Sequence, residues 1–131
     1  MPVSRAELRR LEHEASIELE RARAEYDAHA RRRAIAAMVD LLAEEPSIGA
    51  LHLRTEYEYD DEGGYFLVRY GRVTLWDTDA DDEDAEDAWV ECMEQLDREA
   101  TVEVFGIGRD EVGQGSLTRE QVEMLAAAEN L

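Results

Sequence analysis

An α+β fold is predicted for this chain of 131 residues from three observations. Neither glycine nor proline interrupts residues 4–45, which are mostly Ala, Leu, Arg and Glu, all strong helix formers. Residues 51–59 alternate apolar and polar with a period of two, as a half-buried strand does. Capping signals stand before helical segments at both ends of the chain, Ser4 with Glu7 and Thr118 with Gln121. The resulting order, α-β-β(-β)-α-β-α, implies an antiparallel sheet covered on one face by helices.

The first helix is expected from Ser4 to Glu45, with Pro46 ending it. Its apolar positions Leu8, Leu11, Ala15, Leu19, Ala22 and Tyr26 recur every three or four residues and form a narrow stripe. Ile35, Ala36, Met38, Val39, Leu41 and Leu42 form a denser, core-like patch. About forty residues span about 60 Å at 1.5 Å per residue, whereas the rest of the chain folds into a body about 30 Å across. The helix is therefore expected either to break near residues 27–33 or to pack its N-terminal half on another chain. Arg31, Arg32 and Arg33 read as a solvated face paired with nearby Glu, with a basic contact patch as the alternative.

Residues 60–64, Asp-Asp-Glu-Gly-Gly, form a turn after the first strand. Residues 65–70 and 73–76 are strand-like, and Gly71 between them suggests a bulge or tight turn. A helix is expected from about Glu86 to Arg98, with Trp89, Cys92, Met93 and Leu96 inward. Residues 101–107 read as the last strand, 106–115 as a glycine-containing loop, and 119–128 as a short helix.

The formal net charge is −19, unevenly spread. An N-terminal helical segment, 1–45, holds ten acids against eight Arg, and an acidic α+β body, 46–131, holds 23 against six. Both belong to one domain at this length. Such a charge repels nucleic acid and anionic membranes and attracts basic partners. Cys92 is the lone cysteine, the first ten residues lack an apolar core of the signal-peptide kind, and no apolar run reaches 18 residues. A cytoplasmic protein without a membrane span is expected.

Eight of the eleven residues 77–87 are Asp or Glu. Asp77, Asp79 and Asp81 fit three ligand positions of an EF-hand loop, but Asp82 stands where glycine is required and Ala88 where the bidentate Glu belongs. No metal or other cofactor is expected. Carboxylates three and four residues apart on a helix lie about 5–6 Å apart at Cβ, near the spacing of successive phosphates. Asp84, Asp87, Glu91 and Glu94 keep that rhythm. The expected partner-binding edge comprises these four with Asp77, Asp79, Asp81, Asp82 and Glu83, and with Asp60, Asp61 and Glu62 adjacent.

Catalytic signatures are missing from the sequence. His13, His29 and His52 have no Cys or His at metal-ligand spacing, and the glycine motifs at 106–109 and 113–116 match neither a phosphate loop nor a nucleophile elbow. Cys92 reads as a small core residue, and Trp76 and Trp89 as core anchors or interface rims. In size and charge the chain resembles small acidic inhibitors that imitate nucleic acid, such as anti-restriction, anti-CRISPR and nuclease-immunity proteins; the resemblance aligns no residues. It implies a non-enzymatic inhibitor that occludes the basic surface of a nuclease or other nucleic-acid-binding protein, without binding nucleic acid or membrane itself. The alternative is a structural or regulatory homo-oligomer formed through residues 4–30, chiefly Leu8, Leu11, Leu19 and Tyr26, with the acidic loop serving solubility.

Overall fold

The computed structural model describes residues 2–77 and 83–131. Among them the order is α1 (Arg5–Glu44), β1 (Ile48–Tyr59), β2 (Tyr65–Leu75), α2 (Glu83–Glu94), α3 (Arg98–Val104), β3 (Gly113–Thr118) and α4 (Arg119–Ala128). This is an α+β fold. The three strands form one antiparallel sheet in the order β2-β1-β3. Leu51, Leu53 and Thr55 of β1 point into the core, while Arg54 is exposed on the open face. α2 lies along β2, α4 lies on β1 and β3, and α1 packs against α4, α3 and α2. No helix among the described residues is long and apolar enough to cross a membrane.

α1 runs unbroken for 40 residues, so the break considered near 27–33 does not occur. Residues 5–29 are exposed throughout, and cover from the rest of the chain begins at Ala30. Beyond it Ala34, Ile35, Met38, Leu41 and Leu42 are buried. Ser4 caps the helix start by accepting from the Glu7 N–H at 3.2 Å. The other end carries no basic residue in its last turn. Arg119 of α4 supplies the missing donors: its guanidinium reaches the Leu42, Glu45 and Ile48 carbonyls at 2.8, 3.0 and 2.7 Å. The Leu42 carbonyl lies in the last turn of α1, where intrahelical donors run out; the Glu45 carbonyl also accepts from the Ile48 N–H, and Ile48 opens β1. Arg31 and Arg32 pair not with neighbours on α1 but with Glu129, at the end of α4.

Four expectations are corrected. Residues 101–107 are not a strand, since α3 occupies Arg98–Val104. Asp97 caps it, accepting from the Ala100 N–H at 3.0 Å. Gly106, at φ +77°, closes it, with the Gly106 N–H on the Glu103 carbonyl and the Ile107 N–H on the Val102 carbonyl. The Val102–Val104 alternation that mimics a strand belongs to a short helix whose two valine side chains are both buried in the protein core.

Next, the expected loop 106–115 contains the start of β3. Its glycines are there because α3 comes close: a Cβ on Gly115 would stand 2.2 Å from the Phe105 carbonyl oxygen. Gly71 makes no turn either. It pairs with Leu53 inside a continuous β2, and a Cβ there would meet Met93 at 2.7 Å and Trp89 at 2.9 Å. The irregularity lies instead between Ile48 and Ala50. Finally, the helix expected over 86–98 starts earlier and stops at Glu94.

The two tryptophans separate. Trp89 is fully buried, donates its indole N–H to the His52 carbonyl at 3.0 Å, and lies 5.7 Å from the Phe105 ring. Trp76 is 68% exposed, resting beside Gly49, so core anchoring does not hold for it.

Candidate functional site

α2 has two chemically distinct sides. Ala85, Trp89 and Met93 recur at four-residue intervals and are buried against β2 and the other helices. Ala88, Val90 and Cys92 are half-buried against the same core, while Glu83, Asp84, Asp87, Glu91 and Glu94 are all exposed. Glu83, Asp84 and Glu86 fall in the first turn, where the partial positive charge of the helix terminus favours them. The acidic run thus also starts the helix. Glu91 and Glu94 lie beyond the first turn, where the helix terminus no longer favours them.

Asp77 is exposed just beyond β2. Asp79, Asp81 and Asp82 lie outside the described residues. Asp60, Asp61 and Glu62 are not adjacent to Asp77. β1 pairs with β2 from Tyr59–Tyr65 to Ile48–Leu75, so the turn and Asp77 occupy opposite ends of the hairpin. Ten residues of strand separate them by about 33 Å. Asp60 also has a local task, accepting from the Glu62 and Gly64 N–H groups at 3.0 and 2.7 Å. That holds the turn in which Gly63 adopts φ +87°.

The structure adds carboxylates from elsewhere. A groove of about 380 Å³ between α1 and α2 is lined by Asp40, Glu44 and Glu91, together with Arg33 and Cys92. Burial pushes the half-buried Cys92 thiol up, and the charges of Asp40 and Glu44 push it further. The acidic surface therefore continues from α2 onto the C-terminal part of α1. The sequence contains a signal for this, since Asp40 and Glu44 are spaced i, i+4, but not which helix they would face.

A second concavity, about 670 Å³, opens on the uncovered face of the sheet. His52 sits in it between two hydroxyls, with Ser116 Oγ 2.6 Å from Nδ1 and Thr74 Oγ1 2.6 Å from Nε2. A hydroxyl thus occupies the place where a serine–histidine pair of the catalytic kind has a carboxylate. Arg54 lies over the Tyr70 ring at 4.9 Å and pairs with Glu56 at 3.2 Å. Among the described residues, no group of three or more His, Cys, Asp or Glu is placed to hold a metal ion.

No family model, curated protein or solved structure matches this chain.

Proposed function

We propose that this chain is an acidic binding protein that inhibits a partner by occluding its basic nucleic-acid-binding surface. The observation that carries this reading is the exposed array on α2. Asp84, Asp87, Glu91 and Glu94 stand at intervals of three, four and three residues on one rigid helix, which spaces carboxylates much as a strand spaces phosphates. Asp40 and Glu44 widen the array, and Trp76 with Asp77 lies at the neighbouring strand end. The −17 body would steer a cationic groove toward it, with affinity that falls as salt rises. Asp60, Asp61 and Glu62 are too remote to share one short binding edge with Asp77; they belong to the interface only if the partner surface spans the hairpin.

The test is capture from a cell lysate at low salt on immobilised protein, eluted with a salt gradient. A nucleic-acid-binding protein retained by the wild type and lost from the Asp84→Arg, Asp87→Arg, Glu91→Arg variant is the expected outcome. Equal retention by both removes α2 as the face.

A second reading, a structural or regulatory homo-oligomer joined through residues 4–30, is supported by a separate observation. Residues 5–29 of α1 are helical yet uncovered, with Leu8, Leu11, Leu19 and Tyr26 each about half exposed. Most helical stability in proteins comes from packing an amphipathic face, and this face stays exposed along its length, with Asp97 reaching it at the Tyr26 hydroxyl. Sedimentation of the purified protein distinguishes a monomer from an oligomer.

A further inference from the structure

We propose that residues 5–29 of α1 form a self-docking surface on which a second copy of this chain binds antiparallel, with the two-fold axis beside residue 17. The proposal rests on the homo-oligomer reading and fixes its geometry: residue i lies level with residue 34 − i of the second copy.

Four independent features lead to that arrangement. The first is length. The exposed stretch runs from residue 5 to residue 29, and its midpoint is 17. In this register the second copy's helix begins level with residue 29, where its own body starts to cover α1. The incoming helix fills the free face from end to end.

Side-chain volume gives the same centre. The stripe Leu8, Leu11, Ala15, Leu19, Ala22, Tyr26 is nearly palindromic in position. Antiparallel pairing about residue 17 sets Ala15 level with Leu19 and brings Leu11 within one residue of Ala22, large against small, which lets side chains interdigitate, while Leu8 comes level with Tyr26. In-register parallel pairing sets leucine on leucine and alanine on alanine, crowding some layers and emptying others. The mean spacing of the stripe is 3.6 residues, so it runs straight along an unsupercoiled helix.

Charge is the third feature. Residues 5–10 carry Arg5, Arg9 and Arg10 against Glu7 alone. Residues 24–29 carry Glu25 and Asp27 and no arginine. Antiparallel pairing brings the basic end of one helix onto the acidic end of the other, whereas parallel pairing sets like on like. Glu14 comes level with Glu20 of the second copy, but both stand off the stripe.

The bodies supply the last constraint. Each carries 23 acids against six Arg over residues 46–131. Two such bodies repel, and the antiparallel pair holds them at opposite ends of the shared helices.

The experiment joins sedimentation equilibrium to a pulsed electron-resonance distance on full-length protein, with a spin label at Arg5→Cys in a Cys92→Ala background. A dimer with labels about 36 Å apart is expected, 24 residues of helix at 1.5 Å each. A dimer with labels within about 15 Å is parallel; it overturns the geometry and leaves self-association standing. A monomer overturns both. As a check independent of labelling, Glu25→Arg with Asp27→Arg should weaken the dimer, and adding Arg9→Glu with Arg10→Glu should restore it. Failure of that rescue overturns the register.

Discussion

The two halves of α1 are built from the same helix-forming residues and end in opposite surroundings. Residues 5–29 are exposed, whereas Ala34, Ile35, Met38, Leu41 and Leu42 are buried. Propensity made both halves helical. What separates them is the width of the apolar face. The first half offers one apolar residue per turn, while the second places apolar neighbours side by side at 34 and 35 and again at 41 and 42. Only the wider face can enter a core. Tyr26 marks the frontier: its hydroxyl donates to Asp97 Oδ2 at 3.0 Å, yet its ring is exposed.

The strongest way to break this comparison is truncation in each half. Met38→Ala should lower unfolding stability by about 2–5 kcal/mol, read from urea melts. Leu19→Ala, measured at concentrations too low for self-association, should stay within about 0.5 kcal/mol. Equal losses would mean that the N-terminal half is packed after all. Second in size is Arg119→Met, which removes the side-chain donor of the Leu42 carbonyl and the further bonds to the Glu45 and Ile48 carbonyls. A loss of about 1–3 kcal/mol is expected, with no change in the helicity of residues 5–29 by hydrogen exchange.

Asp97→Ala tests the frontier itself. It removes the N-cap of α3 and the acceptor of Tyr26, for a loss of about 1 kcal/mol in thermal or urea unfolding. The Ala100 N–H chiefly, and the Tyr26 hydroxyl next among the favourable contacts, hold the Asp97 carboxyl below its ordinary value. Its folded value is therefore below the unfolded value of about 3.9. The contribution is present above that unfolded value and is lost as pH falls through the folded one. The D97A variant should accordingly show less acid sensitivity than the wild type below about pH 4. The smallest effect is kinetic. Cys92, raised by burial and by Asp40 and Glu44 beside the buried half, should alkylate with iodoacetamide more slowly at pH 8 than a cysteine placed at Ser16 on the exposed half.

Much of this architecture was legible in the residues, and the failures share a cause. Both ends of α1, the strand β1 and α4 follow from caps, proline and alternation, all of which are local. The capping box of α4 is formed as its residues suggest, with Thr118 and Gln121 bonded reciprocally. The misreadings arose where tertiary packing set the local structure. Gly71 and Gly115 look like turn residues, but they are strand positions approached closely by α2 and by Phe105. α3 looks like a strand because Val102 and Val104 alternate; the cap at Asp97 and the stop at Gly106 were the better signal. At the candidate interface, the rhythm on α2 was readable from spacing alone. The remoteness of Asp60–Glu62 and the arrival of Asp40 and Glu44 depend on which ends of the hairpin and helices meet, and no local pattern carries that.

The Arg119 clamp has a mechanical meaning. It grips α1 at its last carbonyls, at one end of a rod about 60 Å long, while Arg31 and Arg32 brace the rod partway along through Glu129. Arg5 is then the tip of a lever whose fulcrum is the C-terminal helix. A tilt of about 10° at the clamp would swing that tip by about 10 Å over the helix length.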